Sequence, residues 1–452
     1  MSGGAEKPQG WRVVRTNTVF RRRFGLLAFW CLLLAAQPLA AGEQDPFEDL
    51  ERPKQRDPFE GLEQPAPPEP SRKEPARPGE KGWLDRFFHD NFTFKKELYS
   101  QFSYSDDLPD SRSVYSRQSV GFEVLKKFST RTSTVAAINV QGRFVRRDNY
   151  FEVVNDMEGA EREGWSLEVH NAYLDLYNIL NPVLDETAKG EQVGRFNLRL
   201  GRFYLPFGIN LQTDTHGTLL QLSNDRNFGF ERDWYAGLWG ALNSDVNYDV
   251  YYLLGTGYDL SFKGQSGMLG ARFSLANRYL NRYGLEAGLA VMAGQRVAKD
   301  ATMRSPSVAA ESDGNKIVDT LRVGLDWRYT RSVPTGSLAF TTELSGGEDT
   351  SDGLFTQLHQ LEYLNRGRHW GLDTQYRRFW QDIRSRPAGG PGMEAGRPRK
   401  ADSSLFGEFT WYFRNDLGNT NLHWIKLNVE RQLERQQGRK NTILTLQYYR
   451  YW

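Results

Sequence analysis

Alternation of apolar and polar side chains, with a period of two, dominates the sequence from about residue 83 to the last residue. In 321–328 (LRVGLDWR), leucine, valine, leucine and tryptophan alternate with arginine, glycine, aspartate and arginine. This period is typical of a β-strand, because successive side chains of a strand point to opposite faces. The sixteen segments that we predict as strands are 94–105, 117–128, 133–146, 165–178, 194–205, 234–242, 246–256, 267–275, 283–294, 317–330, 336–346, 353–364, 369–380, 403–413, 422–433 and 441–452.

The length of each connection depends on whether the strand before it is odd-numbered or even-numbered. Those after odd-numbered strands are long: 106–116, 147–164, 206–233, 257–266, 295–316, 347–352, 381–402 and 434–440. Those after even-numbered strands are mostly short: 129–132, 243–245, 276–282, 331–335, 365–368 and 414–421, with 179–193 as the exception. Long loops at one end and tight turns at the other are typical of an up-and-down barrel in the outer membrane. A soluble sandwich has no reason to sort its loops in this way.

Full charges on one face of nearly every strand point to the same fold. A soluble antiparallel sheet also alternates, but it seldom places charges on one face throughout a large domain. A mean hydropathy of -0.64 excludes several helical membrane spans of about 20 apolar residues each. We therefore predict an all-β protein, a transmembrane antiparallel up-and-down β-barrel of about 16 strands in residues 83–452, after a disordered proline-rich N-terminal segment. Aromatic residues expected in the two interfacial girdles include Tyr104, Tyr177, Tyr329, Trp380 and Phe413.

Residues 1–42 have the pattern of a signal peptide. Three arginines at 21–23 precede the 13-residue apolar run 24–36, and small residues follow at 40–42. A charged region, a short apolar region and a small-residue cleavage site favour a secretory signal over a membrane anchor. The only cysteine, Cys31, lies in this apolar run, so the mature chain is expected to have no disulfide and no thiol chemistry.

Cleavage of this segment would change the charge balance of the protein. Residues 1–42 hold six of the 58 basic residues and one of the 56 acidic residues, which leaves 52 basic and 55 acidic residues, a net charge of -3, in 43–452. A nucleic-acid partner is not expected, because a basic binding face would have to remain in the mature chain.

The segment 43–82 differs in composition from the rest. It holds nine of the 19 prolines and few apolar residues, so we predict a disordered linker in the periplasm. The sequence DPFEDLE at 45–51 recurs as DPFEGLE at 57–63, twelve residues later. The repeat is either a duplicated docking motif for a periplasmic partner or a duplicated spacer without one.

The last strand resembles the C-terminal signal that the barrel-assembly machinery recognises. In 443–452 (ILTLQYYRYW), Leu444, Leu446, Tyr448 and Trp452 fall on one face, and the chain ends in an aromatic residue. Arg450 departs from the pattern, since this position usually carries an apolar side chain. The resemblance implies assembly into the outer membrane of a Gram-negative bacterium, with outer-membrane lipid around the barrel.

Two further motifs resemble the porins grouped as phosphate-selective porin O and P. They are 198–208 (LRLGRFYLPFG), at the end of the predicted fifth strand, and 231–240 (ERDWYAGLWG) after the following long loop. The resemblance covers roughly 83–452 and implies a sixteen-stranded porin, a possible homotrimer, and a loop 206–233 that folds inward to narrow the pore. Pro206 and Gly208 are suitable residues for turning a strand abruptly into the lumen. The pore-constriction candidates in this loop are Asp214, His216, Asp225, Arg226, Glu231, Arg232 and Asp233.

The charges of this loop do not support carrying over phosphate selectivity. It has no lysine, and four acids face two arginines, whereas an oxyanion site needs a surplus of donors and positive charge. The predicted pore wall adds Arg143, Arg195, Arg199, Arg272, Arg322 and Arg328. Acids predicted on the same wall are Glu123, Asp249, Glu286, Asp326, Glu343, Asp373 and Glu408. We expect a water-filled pore with transverse charge separation and weak selectivity.

No catalytic site, metal site or cofactor is expected. Asp214, His216 and Ser223 are close in sequence, as are Ser166 and His170, but triads are recognised by geometry and these residues are common in loops. Six scattered histidines give no metal-ligand spacing. The expected function is passive diffusion of small hydrophilic solutes or ions. The alternatives are an outer-membrane enzyme, a structural or interaction barrel that anchors or sheathes a partner through the N-terminal repeat, and a soluble all-β binding protein.

Overall fold

The computed structural model describes sixteen stretches of the chain. They are 91–106, 114–130, 134–148, 164–180, 194–209, 219–220, 223–243, 245–257, 260, 265–275, 284–297, 317–350, 352–382, 399–416, 421–434 and 442–452. The predicted signal peptide 1–42, the linker 43–82 and the repeat at 45–63 lie outside these residues and stay predictions.

Sixteen antiparallel strands form one closed barrel, which confirms the predicted fold class. They are β1 Phe92–Ser105, β2 Val114–Ser129, β3 Thr134–Asp148, β4 Gly164–Leu176, β5 Asn197–Tyr204, β6 Arg232–Ala241, β7 Val246–Leu253, β8 Gly267–Leu275, β9 Leu285–Val297, β10 Ile317–Val333, β11 Gly336–Asp349, β12 Asp352–Asn365, β13 Trp370–Asp382, β14 Arg399–Asn415, β15 Leu422–Glu434 and β16 Thr442–Tyr451. Each strand pairs with the next in sequence, and β1 pairs with β16 from Glu97–Tyr451 to Ser105–Ile443. Closure leaves no free sheet edge.

The connections keep most of the predicted sorting. Strands β2 and β3, β10 and β11, and β12 and β13 are joined by short turns at the end where β1 begins and β16 ends. The connection from β4 to β5 is long, as predicted. One connection at the opposite end is much shorter than predicted: β11 ends at Asp349 and β12 begins at Asp352. The strands continue into 347–352 because their ladder runs to the Asp349–Asp352 pair.

Neighbouring residues of one strand differ sharply in exposure. In β15, Leu427 is 44% exposed and Asn428 is 4% exposed, and in β16, Leu446 is 50% exposed whereas Gln447 is fully buried. Since side chains alternate across a closed sheet, the exposed leucines point outward and the buried polar side chains point into the barrel. The predicted apolar outer face and polar inner face are therefore present.

The inner face where the barrel closes is also aromatic. Tyr99 on β1, Trp424 on β15 and Tyr449 on β16 are buried together. The rings of Trp424 and Tyr449 are stacked with centroids 4.4 Å apart, and the indole nitrogen of Trp424 donates to Gln447 Oε1 at 3.1 Å. Stacking of this kind adds to the backbone pairing of β15, β16 and β1.

Helical structure is minimal in the described part of the chain. The short helix α1 spans Asn224–Phe228, between β5 and β6. None of the described helices is long and apolar enough to cross a membrane.

The outer face gives the first testable prediction. If Leu427 faces hydrocarbon, Leu427→Lys should destabilise the folded barrel by about 2–4 kcal/mol, because a cation there loses its hydration. Asn428→Lys places the same charge on the inner face, where Glu408 lies 3.5 Å from the Asn428 amide, and should cost far less. Urea unfolding of both variants in lipid vesicles measures the difference, and equal destabilisation would place Leu427 in water or protein.

Candidate functional site: the inward loop and the inner wall

The strand β5 separates from β4 before its last residue, Tyr204, which still pairs with Arg232 of β6. The chain then turns into the barrel. Strand β5 pairs with β4 only from Leu198–Leu176 to Arg202–Ala172. Beyond this point the Arg202 guanidinium donates to the carbonyl of His170 at 2.8 Å and to that of Val169. These bonds satisfy acceptors that a longer β5 would have reached, because a buried carbonyl without a donor is costly.

A Pro-Phe-Gly turn follows β5. The hydroxyl of Tyr251 donates to the Pro206 carbonyl at 2.9 Å, which fixes the turn to the inner face of β7. Gly208 has φ 80, and a Cβ at this residue would lie 2.8 Å from Oε2 of Glu343. Glycine is therefore required at 208 both for the backbone conformation and for the close approach of the carboxylate. The predicted turning role of Pro206 and Gly208 agrees with this geometry.

Apolar contacts hold both ends of the loop 206–233 against the inner wall. Leu205, Phe207, Phe228 and Phe230 are each at most 2% exposed. The rings of Phe207 and Phe228 meet edge to face with centroids 5.1 Å apart. The wall residues of the same cluster, from β6 to β9, are Tyr235, Tyr251, Leu253, Met268, Ala290 and Met292. Burial of four large side chains is worth several kcal/mol, roughly 1.5–3 for each.

A buried carboxylate on β11 joins the two ends of the loop. Glu343 is 4% exposed; its Oε1 accepts from the backbone N–H of Ile209 at 3.0 Å, and its Oε2 accepts from the hydroxyl of Ser223. Residue 209 lies near the start of the loop and residue 223 near its end. Glu343 therefore links the two ends of the loop by hydrogen bonds.

Further contacts extend this anchorage along β10 and β11. Ser345 Oγ donates to Asn227 Oδ1 at 2.7 Å, and Arg322 Nη2 donates to the Asn227 carbonyl at 3.1 Å. A Cβ on Gly324 would lie 2.6 Å from Phe207, so the small residue makes room for the ring. Arg322, Gly324 and Ser345 face inward, and their strands are five and six positions from β5. The described ends of the loop therefore lie inside the barrel.

The structure places the predicted constriction residues in different settings. Asp214 and His216 lie outside the described residues. Asp225 and Arg226 are on α1, and only their backbone is described. Glu231 precedes β6, and its carboxylate lies 3.6 Å from the Arg232 guanidinium.

The remaining two, Arg232 and Asp233, are buried on β6. The Arg232 guanidinium lies over the Tyr204 ring, 4.0 Å from its centroid, and donates to its hydroxyl. The Asp233 carboxylate accepts from the backbone N–H groups of Gly255 at 2.6 Å and Gly257 at 2.9 Å. These contacts give both residues a structural role: Arg232 holds the end of β5, and Asp233 holds the segment after β7, to the start of β6.

Five of the six predicted wall arginines lie in strands on the inner face, each in an ion pair. The pairs are Arg143–Glu97 at 2.6 Å, Arg199–Asp175 at 2.7 Å, Arg272–Asp326 at 2.7 Å, Arg322–Asp349 at 2.8 Å and Arg328–Glu362 at 2.7 Å. Arg195, the sixth, is exposed and precedes β5. Glu123 accepts from Asn139 Nδ2 at 2.5 Å and from the Tyr451 hydroxyl. The positive charge of the wall is thus mostly neutralised locally.

Several inner-wall charges were missed by the sequence analysis. On β2 to β4, Arg117 and Arg147 share the carboxylate of Glu168, with His170 Nε2 3.4 Å from the same group. Alternation along β2 could have identified Arg117. The acid partners Glu97, Asp175 and Glu362 could not be assigned from sequence, because the register that brings an acid of one strand beside an arginine of another is set by strand pairing.

Three carboxylates form a row across adjacent strands of the inner wall. Glu362 pairs with Asp373, and Asp373 pairs with Glu408 in the register of β12, β13 and β14. Arg328 neutralises Glu362, and Lys426 neutralises Glu408 at 2.6 Å. No ion pair joins Asp373 to a described residue. The row therefore has three carboxyl groups and two cationic partners.

Only Ser223 of the triad candidates Asp214, His216 and Ser223 lies in the described part of the chain. The hydroxyl of Ser223 is bound to Glu343, and Asp214 and His216 lie outside the described residues. Ser166 and His170 lie on β4. Within the described ranges, no group of three or more histidine, cysteine, aspartate or glutamate residues could hold a metal ion.

Comparisons with known proteins identify the fold and no family. No known family and no curated protein matches the chain. Among solved structures, OprB of Pseudomonas putida superposes with a TM-score of 0.52 at 10% identity, over 82% of this chain and 97% of that one. The outer membrane channel DcaP of Acinetobacter baumannii gives 0.48 at 10% identity, over 79% and 96%. OmpT of Vibrio cholerae with loop L8 deleted gives 0.48 at 8% identity, over 80% and 99%.

The chain thus has a closed sixteen-strand antiparallel barrel like that of OprB. The resemblance to the phosphate-selective porins gains no support from these comparisons and stays a prediction from two motifs.

The hydrogen bonds of Glu343 to both ends of the loop give a second prediction. Glu343→Ala removes two hydrogen bonds to a carboxylate, each worth about 1.5–3 kcal/mol, and should loosen the loop without unfolding the barrel. Trypsin should then cleave after Arg226 several times faster in the folded variant than in the parent protein. Glu348→Ala, on the outer face of the same strand, is the matched control and should leave the cleavage rate unchanged. Equal rates in all three proteins would show that Glu343 does not hold the loop.

Proposed function

We propose that the chain is an outer-membrane porin that allows passive diffusion of small hydrophilic solutes or ions. The observation that supports this proposal is a closed barrel with an apolar outer face and a charged inner face. An apolar exterior is stable in hydrocarbon, and a charged interior is stable only in contact with water or with opposite charges. Diffusion down a concentration gradient needs no further chemistry.

We place the barrel in the outer membrane of a Gram-negative bacterium, with the N-terminal segment in the periplasm. The first strand starts at the end that carries the short turns, which is the periplasmic end in barrels of this type. Proposed partners are outer-membrane lipid, the barrel-assembly machinery at the C-terminal strand, further copies in a homotrimer, and a periplasmic partner of the repeat 45–63. No cofactor is proposed.

Narrowing of the pore by loop 206–233 is part of the proposal. Its support is the anchorage of both loop ends on inward-facing residues, from Phe207 near β7 to Asn227 near β11. The residues on both sides of 210–222 are anchored inside the barrel. We therefore propose that the middle of the loop lies in the lumen. Asp214, His216, Asp225, Arg226 and Glu231 remain the proposed constriction residues. Arg232 and Asp233 are buried on β6, where they contact Tyr204 and the backbone after β7.

Weak charge selectivity is proposed instead of phosphate selectivity. Most wall arginines are paired with carboxylates, and the excess positive charge is confined to the places where two arginines share one acid, Glu168 or Asp349. The carboxylate row around Asp373 has one acid more than it has cationic partners. Separate single charges of both signs on the wall attract small ions without binding either sign tightly.

A structural or interaction barrel is the second candidate, because inner-wall side chains are closely covered. Arg147, Thr410, Gln447 and Tyr449 on three different strands are each fully buried at 0% exposure. A lumen wall that is packed in this way favours a barrel that is closed at rest or that sheathes a partner through the N-terminal repeat. Planar-bilayer recordings distinguish the two: discrete current steps support the porin, and their absence at every applied voltage supports the second candidate.

The loop proposal predicts a change in conductance. Deleting 211–218 removes the middle of the loop while keeping Phe207, Ser223 and Phe228, which anchor it. The single-channel conductance should at least double, because the narrowest section sets the resistance of a pore. A deletion of equal length in 299–313, between β9 and β10, is the control for loop shortening. An unchanged conductance after deletion of 211–218 would remove this loop from the constriction.

The carboxylate row predicts a change in ion preference. Asp373→Asn removes the carboxyl group that has no ion-pair partner in the row. In its ionised form this group is a unit charge, and at about 7 Å from a passing ion in water it changes the energy of that ion by roughly 0.6 kcal/mol, or about threefold in local concentration. The ratio of cation to anion permeability, measured from reversal potentials in asymmetric KCl, should fall by up to this factor. Asp319→Asn, on the exposed outer side of β10, should leave the ratio unchanged. An unaltered ratio in Asp373→Asn would exclude this row as a determinant.

A further inference from the structure

Basic side chains gather on the outer face where the barrel closes, at the end that carries the short turns. They are Lys96 on β1, His423 on β15 and Arg450 on β16, together named the basic patch. Their outward direction follows from register and exposure. Arg450 pairs with His423 on one side and on the other with Leu98, which is 38% exposed. Lys96 lies two residues before Leu98 on the same strand and therefore shares its face.

The three members of the basic patch are neighbours. Residues directly opposite each other in an antiparallel pair have Cβ atoms about 4.5–5.5 Å apart, so the side chains of His423 and Arg450 start side by side. Lys96 and Trp452 exchange backbone hydrogen bonds of 2.8 and 3.1 Å, which places Lys96 diagonal to Arg450 where β1 meets β16. The long side chains of Lys96 and Arg450 can therefore reach one anion from two strands.

No ion pair joins the basic patch to any residue that the structure describes. By alternation, the outward residues of β15, β16 and β1 include no aspartate or glutamate. Arg414, which pairs with His423 from β14, has its own partner in Asp416 at 3.2 Å. Like charges that face each other across strands are unfavourable, so an anion from outside the chain would stabilise this arrangement.

Aromatic rings surround the basic patch. The Arg450 guanidinium lies over the Trp452 ring, 4.7 Å from its centroid. The centroid of the His423 ring lies 4.6 Å from that of Phe413 and 5.3 Å from that of Tyr448. Tryptophan and tyrosine are enriched where lipid headgroups meet the hydrocarbon. These rings therefore place the cations of the patch at the depth of lipid headgroups.

A mostly apolar surface extends from the basic patch along the same three strands. Its exposed side chains, between 37% and 52% exposed, are Leu98 and Phe102 on β1, Leu446 on β16, and Ile425 and Leu427 on β15. A soluble anion would contact the cations alone, whereas the acyl chains of a lipid would also cover these apolar side chains. Cations at one end and an apolar surface beside them match a single amphipathic ligand.

We propose that the basic patch binds the phosphate of an anionic glycerophospholipid, whose acyl chains lie along β15, β16 and β1. Guanidinium and ammonium groups donate charge-assisted hydrogen bonds to phosphate oxygens. A zwitterionic lipid carries a cation of its own beside its phosphate, so the patch repels part of that headgroup. The inference rests on the proposed position of the barrel in the outer membrane, and it narrows the lipid partner to one class of lipid at one site.

The site also gives a reason for the departure of Arg450 from the C-terminal assembly signal. That position usually carries an apolar side chain, and the rest of the last strand follows the usual pattern. With an apolar residue at 450, Lys96 would be the only permanent cation of the patch. Arginine at this position therefore completes a two-cation site for a phosphate group.

Native mass spectrometry of the folded protein tests the site. The protein is titrated with phosphatidylglycerol, or with phosphatidylethanolamine of the same acyl chains, and the fraction that carries one lipid is measured. A cation near a membrane surface strengthens the binding of an anionic lipid roughly fivefold, so Lys96 and Arg450 together should give a preference of about 25-fold for phosphatidylglycerol. Equal binding of the two lipids would overturn the proposal.

Substitutions assign the preference to the basic patch. Arg450→Gln should reduce the preference about fivefold, and Arg450→Gln with Lys96→Gln should abolish it. Arg450→Lys keeps the charge and should retain most of it. Arg331→Gln is the matched control, because Arg331 is exposed on the outer face of β10 at the same end of the barrel, beside Leu338. An undiminished preference in the double variant, or an equal loss in Arg331→Gln, would contradict the assignment.

Inorganic phosphate distinguishes a lipid site from a site for a soluble anion. A large molar excess of inorganic phosphate should leave the lipid-bound fraction unchanged, and displacement of the lipid would show that the patch binds phosphate as such. Lys96→Gln alone keeps the test decisive if a change in the last strand impairs assembly, which the heat-modifiable gel shift reveals. Lipid binding does not depend on conduction, so a barrel that conducts without lipid preference refutes this inference alone.

Discussion

Closure of the backbone hydrogen-bond ladder is the constraint on which the rest of the structure depends. Each strand pairs with its neighbour, and β1 pairs with β16, so no edge is left open. In an apolar surrounding an open edge would expose unpaired N–H and C=O groups, which is strongly unfavourable. Where pairing fails, a side chain replaces it: Arg202 donates to the carbonyls of His170 and Val169 beyond the end of the β4–β5 ladder. Apolar side chains point outward and charged side chains point inward, because successive side chains of a closed, pleated sheet alternate between its two faces.

A closed wall of alternating side chains concentrates charge inside, and the barrel balances that charge locally. Arg272 with Asp326 and Arg328 with Glu362 are examples of pairs formed between strands. Removing one member of such a pair leaves the other uncompensated, so the wall is stable only as a set of partners. This explains why the arginines predicted on the wall do not add up to an anion-binding surface. The net field depends on the charges left over, which among the described residues lie where two arginines share Glu168 or Asp349.

The loop after β5 combines features that the sequence predicts with features that it does not. Pro206 and Gly208 indicated a sharp turn into the barrel, and the structure has that turn with φ 80 at Gly208. The sequence did not indicate that Glu343, more than a hundred residues later, would join Ile209 and Ser223. Glu343 was predicted only as one wall acid among several. Likewise, Arg232 and Asp233 look like pore charges in sequence, but in the barrel they are buried and hold backbone and ring groups.

The sequence by itself determined the class of fold, the strand count and the face of most side chains, because a period of two and the sorting of loop lengths are local properties. Strand ends shifted by a few residues, as at 347–352, where the pairing of β11 with β12 extended both strands. Only the tertiary structure decided which charges become partners and which part of the loop is anchored. Those features depend on register and curvature, which bring together residues far apart in the chain, and no local pattern records them.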